Sequence, residues 1–200
     1  MKFHKIVSLI FHPVNMPTIG ILLYLILVDI RININQKLTL IGIVFLATYL
    51  IPMLLLIVLK SLNLIHSYKA STIPERKFPI IIMIILFFFI GKSFNEITAI
   101  KDISILFYGT SLSLVIVYLL FSLKIKTSLH LISMGSALGF LILLEKIEGL
   151  SLKPVLMIFV IITGFVGTSR LYLKAHKPKE VYIGFFIGLI SQFFAFEVLQ

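Results

Sequence analysis

The stretch Ser169-Arg170-Leu-Tyr-Leu-Lys-Ala-His176-Lys-Pro178-Lys-Glu180 sets a histidine between an arginine and a carboxylate. A carboxylate beside an imidazole fixes its tautomer and stabilises the imidazolium, which suits an attacking nitrogen. Pro178 fits the first turn of a helix, so His176 stands just before a helix start, with Glu180 four residues further on and within reach. Two other stretches carry compatible groups. Thr127-Ser128-Leu129-His130 opens an apolar run, and Thr127 or Ser128 reads as the N-cap of a helix whose first N–H groups would face an anion. Lys69-Ala-Ser-Thr-Ile-Pro-Glu-Arg76 adds two cations. Lys and Arg stabilise phosphate oxygens and the charge of a phosphoryl-transfer transition state. A second histidine, with an ordinary pKa of about 6.5, can protonate a leaving oxygen. The chemistry these residue types share is phosphoryl transfer.

The elements that must bring them together are membrane helices. The 200 residues are 60% hydrophobic and only 13% charged, against about a quarter charged in ordinary soluble domains. A chain of this size has too little interior to hide such a load, so the excess must face lipid. Continuous apolar runs, rather than alternating ones, predict an all-α polytopic bundle and exclude a barrel. The runs fall at 6–28, 38–59, 78–98, 103–123, 129–145, 152–168 and 181–198. Each approaches the roughly 20 residues a crossing needs. Seven crossings are expected, or six if the first run, broken by Pro13 and Pro17, only dips into the bilayer. The basic start (Lys2, Lys5) resembles a signal peptide, but His12, Pro13, Asn15 and Pro17 interrupt the apolar stretch, so a retained helix with an irregular start is expected. Pro52 should kink the second run. Gly135, Gly139, Gly164 and Gly167 lie at small-residue spacing and predict close helix contacts. Residues 1–200 read as a single transmembrane domain.

Two runs separate the first stretch from the second, and two more separate the second from the third. All three therefore return to one membrane face. With seven crossings that face holds twelve basic and two acidic side chains, and the other holds six of each. The whole formal charge of +10 lies on one side. The positive-inside rule assigns that side to the cytoplasm, and a site for anions is compatible with it. No aromatic-and-basic motif for nucleic acid is present. Cysteine is absent, which excludes disulfides, thiol nucleophiles and thiolate metal sites.

Ser169-Arg170-x5-His176-x3-Glu180, followed by Val181-x2-Gly184, resembles the third signature of the type-2 phosphatidic acid phosphatase superfamily, Ser-Arg-x5-His-x3-Asp. Lys69-x6-Arg76 resembles its first signature, and Thr127-Ser128-Leu129-His130 stands where its second, Pro-Ser-Gly-His, would be. The resemblance spans about residues 69–198. It implies a membrane phosphatase with no cofactor or metal, acting on a lipid phosphate or lipid pyrophosphate in a bacterial inner (cytoplasmic) membrane. It also implies roles: His176 as the nucleophile that becomes phosphohistidine, Glu180 orienting it, and His130 as general acid. Lys69, Arg76, Ser128 and Arg170 would bind phosphate, with Ser169 supporting the same site.

Four departures from the pattern stand out. Lys77 follows Arg76 where the family has proline, Glu180 replaces aspartate, Leu129 replaces glycine, and Thr127 stands where the second signature has proline. Glycine allows close approach of backbone to phosphate or a positive φ, and leucine makes both harder. The alternative function is therefore a catalytically impaired relative that binds lipid phosphate headgroups or serves as a membrane assembly partner. A small-solute transporter finds little support, because no acidic cluster lies at mid-membrane depth. His4 and His12 are expected at the first membrane interface, and His66 and Tyr68 in a loop.

Overall fold

A computed structural model describes residues 2–66, 68 and 72–199. Among them there are eight helices and no strand: α1 (Lys2–Ile10), α2 (Met16–Leu27), α3 (Ile34–Ser61), α4 (Ile73–Asn95), α5 (Ile103–Ser122), α6 (Leu129–Glu148), α7 (Lys153–Tyr172) and α8 (Pro178–Leu199). Six of these, α3 to α8, are long and apolar enough to cross a membrane. The chain is an all-α integral membrane protein.

The first apolar run is not one helix. Pro13, Asn15 and Pro17 break it into α1 and α2, and the Asn15 amide donates to the carbonyls of Leu9 (3.0 Å) and Ile10 (3.1 Å), closing the end of α1. At 12 residues, α2 rises only about 18 Å. It nevertheless runs between the two ends of the bundle. His12, just before it, meets His130 at the start of α6, whereas Tyr24 packs on Phe140 and Gly20 against Leu106 near the start of α5. The non-helical residues from Val28 to Asn33, where Ile30 N donates to Val28 O (3.0 Å) and Ile32 N to Ile30 O (2.9 Å), carry the chain on to the start of α3. Pro52 lacks an N–H, and the turn before it, Leu46–Leu50, widens to a π-bulge that accommodates its ring.

Helix α6 is the centre of the bundle: 72% of its spanning window is buried, against 17% for α3. Its glycines explain the position. A side chain at Gly135 would overlap the Phe185 carbonyl, and one at Gly188 the Ile132 carbonyl, so the backbones of α6 and α8 touch. Gly139 extends the seam, where a Cβ would lie 2.8 Å from Leu189 O. The expectation for Gly164 is corrected: nothing lies within 4 Å of a Cβ built there, and Gly167 meets only ordinary contacts. Spacing alone shows small residues on a face and not whether another helix lies against that face. Gln192, fully buried, anchors α8 to α5. In the orientation that pairs both amide atoms it donates to Ile105 O (3.1 Å) and accepts from Thr110 N (3.3 Å).

Candidate functional site at the basic end of the bundle

Three helices end at this face in the same way. Asn63, Lys124 and Lys174 follow α3, α5 and α7 with φ of 58°, 57° and 51°. In each case the next residue's N–H returns to a carbonyl of the last turn, as Ala175 N does to Arg170 O at 3.1 Å. This left-handed stop reverses the chain within a few residues. It brings the 173–177 connection back over the end of α7, with His176 beside the first turn of α8.

His176 donates from Nδ1 to Glu180 Oε2 at 2.8 Å, and its side chain is only 3% exposed. Glu180 also accepts from the Lys177 N–H at 3.4 Å. Glu180 accepts the hydrogen bond from Nδ1–H, so the lone pair resides on Nε2. Burial pulls the His176 pKa below its ordinary value. The hydrogen bond to Glu180 works against that, and Arg170 and Arg76 add to it. Burial and the two arginines thus favour the neutral imidazole, with an unprotonated nitrogen.

The other stretches are fastened to this one by backbone contacts. Ser128 N donates to Glu180 O (3.1 Å), joining the start of α6 to the start of α8. Gly184 permits that approach, since a Cβ there would lie 2.8 Å from Ser128 O. Arg76, in the first turn of α4, donates through Nη1 to Thr127 O at 3.4 Å. Glu75 beside it completes a capping box, accepting from Thr72 N (3.2 Å) and Thr72 Oγ1 (3.0 Å), and it also holds His66 N (2.9 Å). Lys69 lies outside the described residues.

Ser128 is the N-cap residue of α6, yet its hydroxyl makes no capping bond. Six buried side-chain polar atoms among the described residues have no hydrogen-bond partner, and three belong here: Thr127 Oγ1, Ser128 Oγ and Arg170 Nε. Unpaired buried donors are rare in folded proteins and call for a ligand or water. Two of them stand just before the first turn of α6, and the third, on α7, belongs to the same cluster. Leu129 occupies the first helical position without positive φ and packs its side chain on the core. No left-handed backbone is required where the signature has glycine.

Four residues of the site escaped the sequence reading. Ser8 of α1 accepts from Arg170 Nη1 at 2.6 Å, and its Oγ and carbonyl O lie 3.2 and 3.1 Å from His130 Nε2. His12 meets the His130 ring edge-on, centroids 5.1 Å apart. Burial lowers its pKa, and Arg170 lowers it further. His4, stacked on Tyr172 at 4.1 Å, places Nδ1 3.0 Å from Ser169 Oγ. Ser169, fully buried, therefore meets α1. Lys126 is half-buried, its pKa lowered first by burial and then by Arg76, with Glu180 opposing and Arg170 adding. The one signal for Lys126 is its place next to Thr127. For His12 it is a histidine interrupting an apolar run.

Comparison with protein-family models, with curated proteins and with solved structures finds no match. The functional reading rests on the residues themselves.

Proposed function

We propose that the chain is a membrane phosphatase that removes phosphate from a lipid phosphate or lipid pyrophosphate through a phosphohistidine. The observation that carries this reading is the buried His176–Glu180 pair at 2.8 Å, set among Arg76, Arg170 and the unpaired donors of Thr127 and Ser128. A solvated basic loop would neither bury an imidazole nor fix its tautomer.

In the proposed mechanism His176 Nε2 attacks phosphorus, forming the P–N bond as the bond to the leaving oxygen breaks. His130 supplies the proton to that oxygen. Water then attacks phosphorus, the P–N bond breaks, and His130 recovers a proton from the water. Arg76, Arg170 and the N-terminal amides of α6 stabilise the charge on the equatorial oxygens. Lys69 would add a further cation, and Lys126 borders the same place. The substrate's hydrocarbon chains stay in the bilayer while its headgroup meets the basic face, which in a bacterial inner membrane would be the cytoplasmic one.

The test is phosphate release by the purified protein in detergent without divalent metal, on phosphatidic acid, phosphatidylglycerophosphate and undecaprenyl pyrophosphate. Turnover is expected on at least one, and His176→Ala should abolish it. Equal turnover by the variant would refute the nucleophile. Lipid binding without turnover on any of the three would make headgroup binding the better reading.

A further inference from the structure

Helix α1 is held differently from every other helix. Of its nine residues only Ser8 is buried. Phe3, Ile6, Leu9 and Ile10 are each more than half exposed, and Lys2 and Lys5 are exposed beside them. Its apolar hold is limited to Val7, half-buried on the core, and to the edge contact of Phe3 with Phe165, so docking gains little from apolar burial. Its polar contacts are directed at the candidate site: His4 to Ser169, and Ser8 to both Arg170 and His130.

The Ser8 contacts coincide with those a substrate would make. A phosphate bound for transfer needs an oxygen on the Arg170 guanidinium and its leaving oxygen on the His130 nitrogen. Ser8 holds both, accepting from Arg170 Nη1 at 2.6 Å and lying 3.2 Å from His130 Nε2. One neutral hydroxyl gives the Arg170 guanidinium a hydrogen bond but no opposite charge, whereas a phosphate oxygen supplies both. The segment from Phe11 to Asn15, which contains Pro13, lies between α1 and α2 and can serve as a joint.

Building on the phosphatase reading, we propose that α1 is a displaceable plug in which the Ser8 hydroxyl occupies the place of a phosphate oxygen. The site admits a headgroup when α1 swings out and lays its exposed apolar side chains in the bilayer surface, with Lys2 and Lys5 toward anionic headgroups. Helices of this composition bind such interfaces.

The sequence has no cysteine, so α1 can be locked by chemistry at two introduced ones. Phe3 and Phe165 meet with ring centroids 6.2 Å apart, and both are exposed. In the Phe3→Cys/Phe165→Cys protein, a short bis-thiol cross-linker cleavable by reductant would pin α1 to α7. Binding of radiolabelled inorganic phosphate is then measured before and after cleavage. Cleavage should restore at least about tenfold tighter binding, the weight of one hydrogen bond to a charged group. Equal, measurable binding in both states would overturn the plug and leave the anion site standing. No binding in either state would overturn the anion site, and the plug with it.

Ser8→Ala in the uncross-linked protein gives an independent reading. A plug predicts several-fold tighter phosphate binding in the variant, since the competing hydroxyl is gone. A residue that positions Arg170 or His130 would instead weaken binding on removal, and that result would overturn the proposal.

Discussion

The imidazole of His176 is buried among cations, and in the proposed reaction its protonation decides whether it can attack. Burial lowers its pKa, the Glu180 hydrogen bond raises it, and Arg170 and Arg76 lower it again. Attack needs the unprotonated ring, so phosphate release should rise with pH through a limb that lies below the ordinary histidine value of about 6.5. Glu180→Gln removes the one upward influence, so the limb should move to lower pH. The plateau rate should fall by roughly 10²–10⁴-fold, as when the carboxylate partner of a catalytic histidine is lost. A pH–rate profile of kcat/KM for both proteins checks this, and a limb moved upward would contradict the assignment. The third stretch was legible in the sequence because a four-residue spacing around a helix start brings the ring and the carboxylate together at 2.8 Å. Ser8, His4 and His12 were not. Each is ordinary in its local context, and only the folding of the N-terminal segment onto α6 and α7 gives it a partner.

At the scale of elements, hydropathy located the spans well, because an apolar run long enough to cross a bilayer has few other stable states in lipid. The runs at 103–123 and 129–145 became α5 (Ile103–Ser122) and α6 (Leu129–Glu148). Which faces meet was less legible, and the glycines show why. Gly135 and Gly164 lie in equivalent small-residue patterns, yet one presses on the α8 backbone and the other meets nothing within 4 Å. The consequence can be measured. Gly188→Ala places a methyl on the Ile132 carbonyl of α6, where neither backbone can yield, and should destabilise the fold by about 3 kcal/mol or more. Gly164→Ala should change stability by less than about 0.5 kcal/mol. Thermal unfolding of both variants in detergent decides, and equal midpoints would mean that the α6–α8 seam is not a tight backbone contact. The same seam positions the candidate site, since Gly184 lets α8 reach Ser128 and fixes the start of α6 relative to His176.

Across the whole molecule, charge and topology constrain each other. Among the described residues eleven basic and two acidic side chains fall on the end that carries His176, and the opposite end balances at six and six. That assignment holds for the residues before α2 only if this short helix spans between the ends. The contacts of His12 with His130 and of Tyr24 with Phe140 indicate that it does. Some of the basic excess belongs to the candidate site, notably Arg76, Lys126 and Arg170. Without these three, eight basic side chains remain there against six on the other end, so the positive-inside rule still favours the cytoplasm, by a narrow margin. The absence of cysteine makes the sidedness directly readable. With single cysteines at Lys5, Arg31 or Lys124, a membrane-impermeant thiol reagent should label Arg31→Cys in intact cells. Lys5→Cys and Lys124→Cys should label only after permeabilisation. Labelling of Lys5→Cys together with Arg31→Cys would mean that α2 turns back and that six helices cross. The opposite pattern throughout would place the basic end outside the cytoplasm. Its charge would then have to be retained by the anion it binds rather than by the rule of insertion, and the lipid that reaches His176 would come from the outer leaflet.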